Sequence, residues 1–397
     1  VSGQGEATGR SPKRAANRAR RRARRRIGRQ WIFRGARALI RWLPLPVASV
    51  LGQGLGLLVW WAVPWMRRQT LRNLEIAFGA EKDAAERRRI ARRCYVLAGR
   101  GMFAWMVLHR MGRDRALARL TAELSPEAKA AFGSGKGAVL LTQHSGLFEL
   151  SGAWIAREYA AMAVGREGED AGTSMLIAMR TDMGLRTIEQ GSPREIVRTL
   201  RDGGIVAMLA DQDIRGVNGA FVPFFGRLAH TPIGPAAFAV RMKVPIVCAH
   251  TEWRSLTTHA GVASDVLFPR EDLPPDEAVL ELTARTQVAI ERAIRERPDE
   301  WLWMHERWRT TPAKRPEAPV WPRDAAAVAG GSVAGPAGPG AASAPGAPPG
   351  PGGEPRPSAT PPRASATQPG PGGEPGSGAT PAGPGVASSG GPGRGAA

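Results

Sequence analysis

Inside the apolar run LLTQHSGLFEL, a polar cluster Gln143-His144-Ser145 is followed, five residues after the histidine, by Glu149. An imidazole and a carboxylate are the parts of a general base. A carboxylate that holds one ring nitrogen fixes the tautomer and raises the basicity of the other nitrogen, which can then take a proton from an alcohol. Spacing limits how the two can meet. Five residues apart within one helix they would point about 140° away from each other. The pair therefore forms only if His144 precedes a helix and Glu149 lies in its first turns, with Ser145-Gly146 supplying the bend. The same residues also read as a plain helix start, with His144 as the cap and Glu149 as a first-turn acid favoured by the helix dipole. A Gly-x-Ser-x-Gly elbow, a Gly-x-x-x-x-Gly-Lys loop and a His-Glu-x-x-His helix are all missing, so serine-type covalent catalysis, phosphate-loop chemistry and a zinc site are not expected.

The elements that must position these residues come next. From Lys136 onward, short apolar runs (AVLLT from Ala138, GIVAML from Gly204, VPIVCAH from Val244) alternate with amphipathic stretches such as SPREIVRTLRDG. Runs this short and rich in Val, Ile and Leu predict an α/β fold, a central mostly parallel sheet flanked by helices. His144 then stands where a buried strand ends, the edge at which ligands bind in such sheets. Upstream, RRQTLRNLEIAFG and EKDAAERRRIARRCYVLAGRGMFAWMVLHRMG read as helices, and Ile90, Tyr95, Val96, Leu97, Met102, Phe103 and Met106 form an apolar stripe on the second. Its basic face reads either as a solvated surface or as a surface for anionic headgroups or an acidic carrier protein.

The chain has 397 residues, a net charge of +20 and a pI near 11.4, with the excess charge unevenly spread. Arg10 to Arg41 holds many arginines and no acid, a block suited to polyanions. From about Ala325 the composition turns to Gly, Pro, Ala and Ser, too poor in apolar surface to offset ordering entropy, so this tail is expected to be disordered. Between them, WLPLPVASVLGQGLGLLVWWAVPWM carries no charge and is long enough to cross a bilayer, yet Pro44, Pro46, Pro64 and three glycines weaken a straight helix. A span and a segment lying in one leaflet both fit, and arginines flank it on both sides. The expected organisation is a basic leader over 1–30, a membrane-anchoring segment over 31–66, a catalytic domain over 67–314 and a tail over 315–397. Cys94 and Cys248 are the only cysteines, consistent with a reducing cytosolic face.

HSGLFE, then LADQDIRGVNGAFVPFFGRLAHTPIGPAAFAVRMKVPIV, then RPDEWLWMHERWRT, taken in order, resemble the bacterial lipid A biosynthesis late acyltransferases, the lauroyl and myristoyl transferases of the lysophospholipid acyltransferase superfamily. The likeness covers roughly residues 31–311. It implies a glycerolipid acyltransferase-like fold with an N-terminal membrane-associated segment, His144 as general base and Glu149 as its partner. Arg166, Arg180, Asp211 and Gln212 are implied to line the substrate site. Phe224, Phe225 and Gly226, within FVPFFGRLAHTPIGPAAFAV, suit an acyl channel, although core packing explains the two phenylalanines equally well. His230 reads as a loop residue. Arg307 and Arg309 fit either an aromatic helix that closes the core or a phosphate contact. Where the family shows Arg-Pro and then Asn-Pro, this chain has GREGEDAGTSM, which leaves the acceptor contacts open.

The resemblance implies an enzyme that moves a fatty acyl group from acyl carrier protein to a hydroxyl of a Kdo-bearing lipid A precursor. It would need no cofactor or metal, and would sit on the cytoplasmic face of the inner membrane against anionic lipids. The same chemistry on a phosphatidylinositol mannoside, a lysophospholipid or an aminolipid is the nearest alternative. A catalytically dead membrane scaffold is a further one. A nucleic-acid-binding protein built on the arginine leader is disfavoured, because no stacking aromatics are interleaved with it.

Overall fold

The computed structural model describes Gly35 and residues 38–165, 171–189 and 191–322. The basic leader over 1–30 and the part beyond Pro322 of the tail expected to be disordered lie outside the described residues, as does Arg166. The expected α/β architecture is present. A seven-stranded sheet runs in the order β1-β9-β8-β2-β5-β3-β4, and a separate hairpin is formed by β6 and β7. In chain order the sheet strands are β1 (Leu120–Leu124), β2 (Ala138–Thr142), β3 (Ala161–Gly165), β4 (Arg186–Glu189), β5 (Ile205–Leu209), β8 (Ile246–Trp253) and β9 (His259–Leu267), while the hairpin is β6 (Gly219–Phe224) and β7 (Arg227–Pro232). All neighbours pair parallel except β8 and β9. The central strands β2 and β5 are buried on both faces, as near-continuous apolar runs require.

Besides helical residues at 35 and 38–40 and a 3-10 turn at Pro312–Lys314, the described α-helices are α1 (Leu45–Ala62), α2 (Pro64–Phe78), α3 (Ala84–Met111), α4 (Arg113–Leu117), α5 (Pro126–Gly133), α6 (Phe148–Glu158), α7 (Ala171–Asp182), α8 (Pro193–Arg201), α9 (Gly234–Met242) and α10 (Pro275–Glu296). Asp83 caps α3 by accepting from the Glu86 N–H, and Ser125 caps α5 in the same way. Helices α5 and α6 share an apolar cluster with one face of the sheet, through Phe132, Ile155, Leu140 and Val247. On the other face, α9 and α10 pack Ala236, Ala239, Leu282 and Ile290 against Val139, Leu141 and Ile246, together with the tryptophans of the C-terminal loop.

Contacts tie both flanking segments to the domain. Pro64 starts a second helix at the point where the first ends, and α1 packs on α3 through Leu45, Ala48 and Trp60, which belong to the apolar clusters of the body. At the other end, contacts with the hairpin continue beyond Lys314. The Phe221 N–H donates to the Pro319 carbonyl at 2.8 Å and the Trp321 N–H to the Phe221 carbonyl at 2.9 Å, so the chain adds an edge to the hairpin before leaving the domain.

Candidate active site

Strands β2 and β5 pair in parallel with Thr142 opposite Leu209. Two residues further along each chain stand His144 and Asp211, so the register of the two central strands brings the pair together just beyond their carboxyl ends, where open α/β sheets bind ligands. The contact is direct. His144 Nδ1 lies 2.8 Å from Asp211 Oδ1, and the backbone N–H of His144 donates to Oδ2 at 2.8 Å. The indole N–H of Trp301 donates to the same Oδ2 at 2.7 Å. Asp211 is fully buried, whereas a quarter of the His144 side chain is exposed.

The electrostatics follow from these contacts. Burial works against the Asp211 carboxylate but is outweighed by the His144 charge and by hydrogen bonds from His144 and Trp301, which hold its carboxyl down at about 2. Burial also works against a charged His144, and the charge and hydrogen bond of Asp211, with help from Glu149, overcome it and raise the imidazole above its ordinary value. With Nδ1 committed to a carboxylate, the proton sits on that nitrogen and Nε2 is left as the basic face.

The loop that carries His144 is fixed from several sides. Gly146 has φ +55, and a Cβ there would stand 2.2 Å from the Thr251 carbonyl oxygen, so only glycine lets the loop lie this close to β8. From the C-terminal loop, Leu302 N–H donates to the His144 carbonyl at 3.1 Å, while the Glu300 carbonyl accepts from Gly146 N–H at 3.3 Å. The bend expected at Ser145-Gly146 is therefore present. It leads through Leu147 into α6, whose first turn holds Phe148, edge-on to His144 at 5.1 Å, and Glu149.

Glu149 has a different partner from the one expected. Arg180 on α7 holds both of its oxygens, through Nε and NH2 at 2.7 Å each. Burial lowers the basicity of that guanidinium, and the hydrogen bonds and charge of Glu149 more than restore it. The physical reason for the exchange is direction. Asp211 follows the neighbouring strand and reaches the ring from the sheet, while Glu149 lies in the first turn of α6 and faces α7. Glu149 is buried and Arg180 nearly so, and the pair lines a partly open, mainly apolar cavity between the sheet and α6. Small residues on the sheet face, Ala163, Ala207, Ala249 and Gly261, leave that space, and Phe132 and Leu124 also line it.

The remaining candidates divide. Gln212 sits half-buried beside Asp211. Phe224, Phe225 and Gly226 do not line the large cavity. Phe225 (φ 51) and Gly226 (φ 66) are the two left-handed residues of the tight turn between β6 and β7, a geometry that matches strand twist, so this motif folds as a hairpin tip. Phe224 packs on Trp301 and Trp308 at ring distances of 6.1 and 5.8 Å, which is core packing. Arg307 is wholly buried, donating to the His230 carbonyl, Thr231 Oγ1 and the Gln287 side chain, and so closes the core. Arg309 donates to the Asp213 carbonyl at 2.8 Å. His230 is no loop residue but lies buried in β7. Trp301, which no spacing argument singled out, is the missed member of the site; its only signal was its place in the tryptophan-rich closing motif.

The chain is similar to several known proteins. Residues 16–310 match the family model described as bacterial lipid A biosynthesis acyltransferase. The chain is 26% identical over 299 residues to the lipid A biosynthesis lauroyltransferase of Escherichia coli (strain K12), covering 71% of this chain and 92% of that protein. It is 27% identical over 128 residues to the phosphatidylinositol mannoside acyltransferase of Mycobacterium tuberculosis (strain H37Rv), covering 30% of this chain and 40% of that protein. Among solved structures, the 1-acyl-sn-glycerophosphate acyltransferase of Thermotoga maritima aligns with a TM-score of 0.30 and 11% identity over 60% of this chain and 96% of that one. With a family match over most of its length, the chain belongs to the bacterial lipid A biosynthesis acyltransferases, enzymes that transfer acyl groups.

Proposed function

We propose that this protein transfers a fatty acyl group from acyl carrier protein to a hydroxyl of a Kdo-bearing lipid A precursor, with His144 as the base and Asp211 as the carboxylate that orients it. The observation that carries the reading is the 2.8 Å contact from His144 Nδ1 to a buried, ionised Asp211, with the ring partly open to solvent. His144 Nε2 takes the proton of the acceptor hydroxyl, and the oxygen attacks the thioester carbonyl. The carbon–sulfur bond then breaks, and the carrier thiol leaves with the proton that His144 returns, so an ester forms without a covalent acyl-enzyme. Glu149 and Arg180 line the apolar cavity between the sheet and α6, which accepts the acyl chain. Acyl carrier protein is acidic and suits the arginine-rich outer face of α3, where Arg88, Arg89, Arg92 and Arg93 are exposed. The enzyme works at the cytoplasmic face of the inner membrane, among anionic lipids.

The lauroyltransferase likeness over nearly the whole of that relative supports the lipid A acceptor. A phosphatidylinositol mannoside is the second reading, favoured by the shorter matches to the mycobacterial enzymes. Transfer of labelled acyl groups from acyl carrier protein to a panel of lipid acceptors, with His144→Ala in matched membranes, decides between them. Label on the Kdo-bearing lipid that vanishes in the variant is the expected result. Label on the mannoside keeps His144 and changes the substrate, and equal activity in the variant overturns the mechanism.

A further inference from the structure

Helix α1 carries two apolar faces, and only one of them is accounted for by the body of the protein. Its inner stripe, Leu45, Ala48, Ser49, Gly52, Gly56 and Trp60, is buried on α3. Contact there is backbone to backbone. A Cβ on Gly56 would stand 2.0 Å from the Tyr95 carbonyl oxygen, one on Gly52 2.5 Å from that of Gly99, and one on Gly99 2.2 Å from that of Gly52. The outer stripe, Val47, Val50, Leu51, Leu58 and Trp61, continues to Trp65 at the start of α2 and is exposed throughout. It runs at helical spacing with no charged residue between Arg41 and Arg67. Such a face on an 18-residue helix, about 27 Å long, exceeds the scattered apolar exposure of a soluble surface.

Cations border it at both ends. Arg110 stacks over Trp42 at 4.1 Å, and Arg67 lies 5.5 and 5.9 Å from the rings of Trp60 and Trp61. Tryptophan edged by arginine suits the headgroup layer of an anionic leaflet.

By length and composition α1 is also able to cross a bilayer. The inner contact argues against that. Were Gly52 at the bilayer centre, the Gly99-Arg100 step against it would be there too, and Arg100 is stacked 3.6 Å over Trp253 of β8. A sheet cannot enter hydrocarbon with open edges, and each arginine at that depth costs about 2.5–3.5 kcal/mol. We infer that α1 lies in the plane of a single anionic leaflet, with its outer stripe immersed, its inner stripe fixed to α3, and both of its ends on the same side of the membrane. This stands apart from the choice of acyl donor and acceptor.

The test uses the full chain on vesicles of phosphatidylethanolamine and phosphatidylglycerol. The native cysteines are both buried, so single variants V47C, V50C, L51C, L58C and W61C can be spin-labelled selectively and their depths read by power saturation with oxygen and a nickel chelate. The expected result is one similar shallow depth, about 5–10 Å below the phosphates, at all five positions. A depth that rises to the bilayer centre and falls again along the helix overturns the proposal, as does aqueous exposure at every site. Leu58→Glu, at an exposed position, is expected to weaken vesicle binding at least about tenfold while thermal unfolding stays unchanged. Unaltered vesicle binding, or dimerisation in place of it, also overturns the proposal. Acyl transfer is measured on the same samples: flat depth without transfer would sink the enzymatic reading and leave the membrane geometry standing.

Discussion

The molecule holds two acid–imidazole couples that start from the same short loop, and they have different fates. Asp211 meets His144 at 2.8 Å, and Asp213, two residues on, faces His230 at 3.5 Å. Both aspartates are buried and both are held ionised. Burial opposes the charge on Asp213, and His230, Thr310 and Arg309 overcome it, leaving its carboxyl well below the usual range. The histidines differ. His230 is sealed in β7 against Phe221, with 2% of its side chain exposed, whereas a quarter of the His144 side chain is exposed beyond the end of β2. His144 is hydrogen-bonded to its aspartate and partly exposed, whereas His230 stands off from Asp213 without a hydrogen bond and is sealed, so contact and access together single out His144 as the base. The inner couple joins Arg307 and Arg309 in fixing the C-terminal loop to the hairpin, and that loop in turn presents Trp301 to the outer couple.

The largest expected effect breaks the comparison outright. His144→Ala should lower kcat by about 10³-fold or more, whereas His230→Ala should leave kcat little changed and lower the unfolding temperature, as parallel kinetics and calorimetry would show. Asp211→Asn comes next, with about a 10²–10³-fold loss of kcat. Its pH profile sharpens the point. A base must be unprotonated, and Asp211 raises the His144 pKa, so activity climbs with pH through a value above the ordinary imidazole range. Removing the carboxylate should move that limb to lower pH, beneath a reduced plateau.

The same aspartate links stability to acid. Its folded pKa of about 2 lies below the unfolded carboxylate value, so the stabilisation is present above about pH 4 and is lost as the pH falls toward 2. On the order of 2 kcal/mol is involved, and acid titration of the wild type against Asp211→Asn measures it.

On the inner couple, Arg307→Ala leaves Thr231, Gln287 and the His230 carbonyl without their donor and should cost about 3 kcal/mol in denaturant unfolding. The smallest effect sought is on Trp301→Phe, which keeps the ring packing and removes the N–H. Asp211 would then concentrate its charge on His144, and the basic limb should move to higher pH. An unmoved limb would reduce Trp301 to packing.

How much of this was legible in the sequence follows the distance over which each contact is made. The β2 run and the turn after it are local, so the placement of His144 beyond a buried strand could be read directly. Its partner could not. Asp211 reaches it through the pairing of two strands 67 residues apart, and Glu149, the visible neighbour, turns to an arginine on the next helix. FVPFFGRL looked like a ligand wall because its composition is apolar. The left-handed backbone of Phe225 and Gly226, which makes it a hairpin tip, leaves no mark that composition can show. The prolines at 44 and 64 did mark where α1 and α2 begin. That the glycines at 52 and 56 serve a helix contact depended on Gly99, which lies on another helix.

That contact bears on how the protein can be handled. Trimming the chain to the start of α2 would discard the apolar outer stripe and uncover a second one, since Tyr95, Ala104, Trp105 and Leu108 of α3 belong to the clusters that α1 helps to close. A shortened form would trade a face that a bilayer can satisfy for one shaped to fit a single missing helix. Solubility is better sought by recoding the outer stripe, at Val50, Leu51 and Leu58, with the helix left in place.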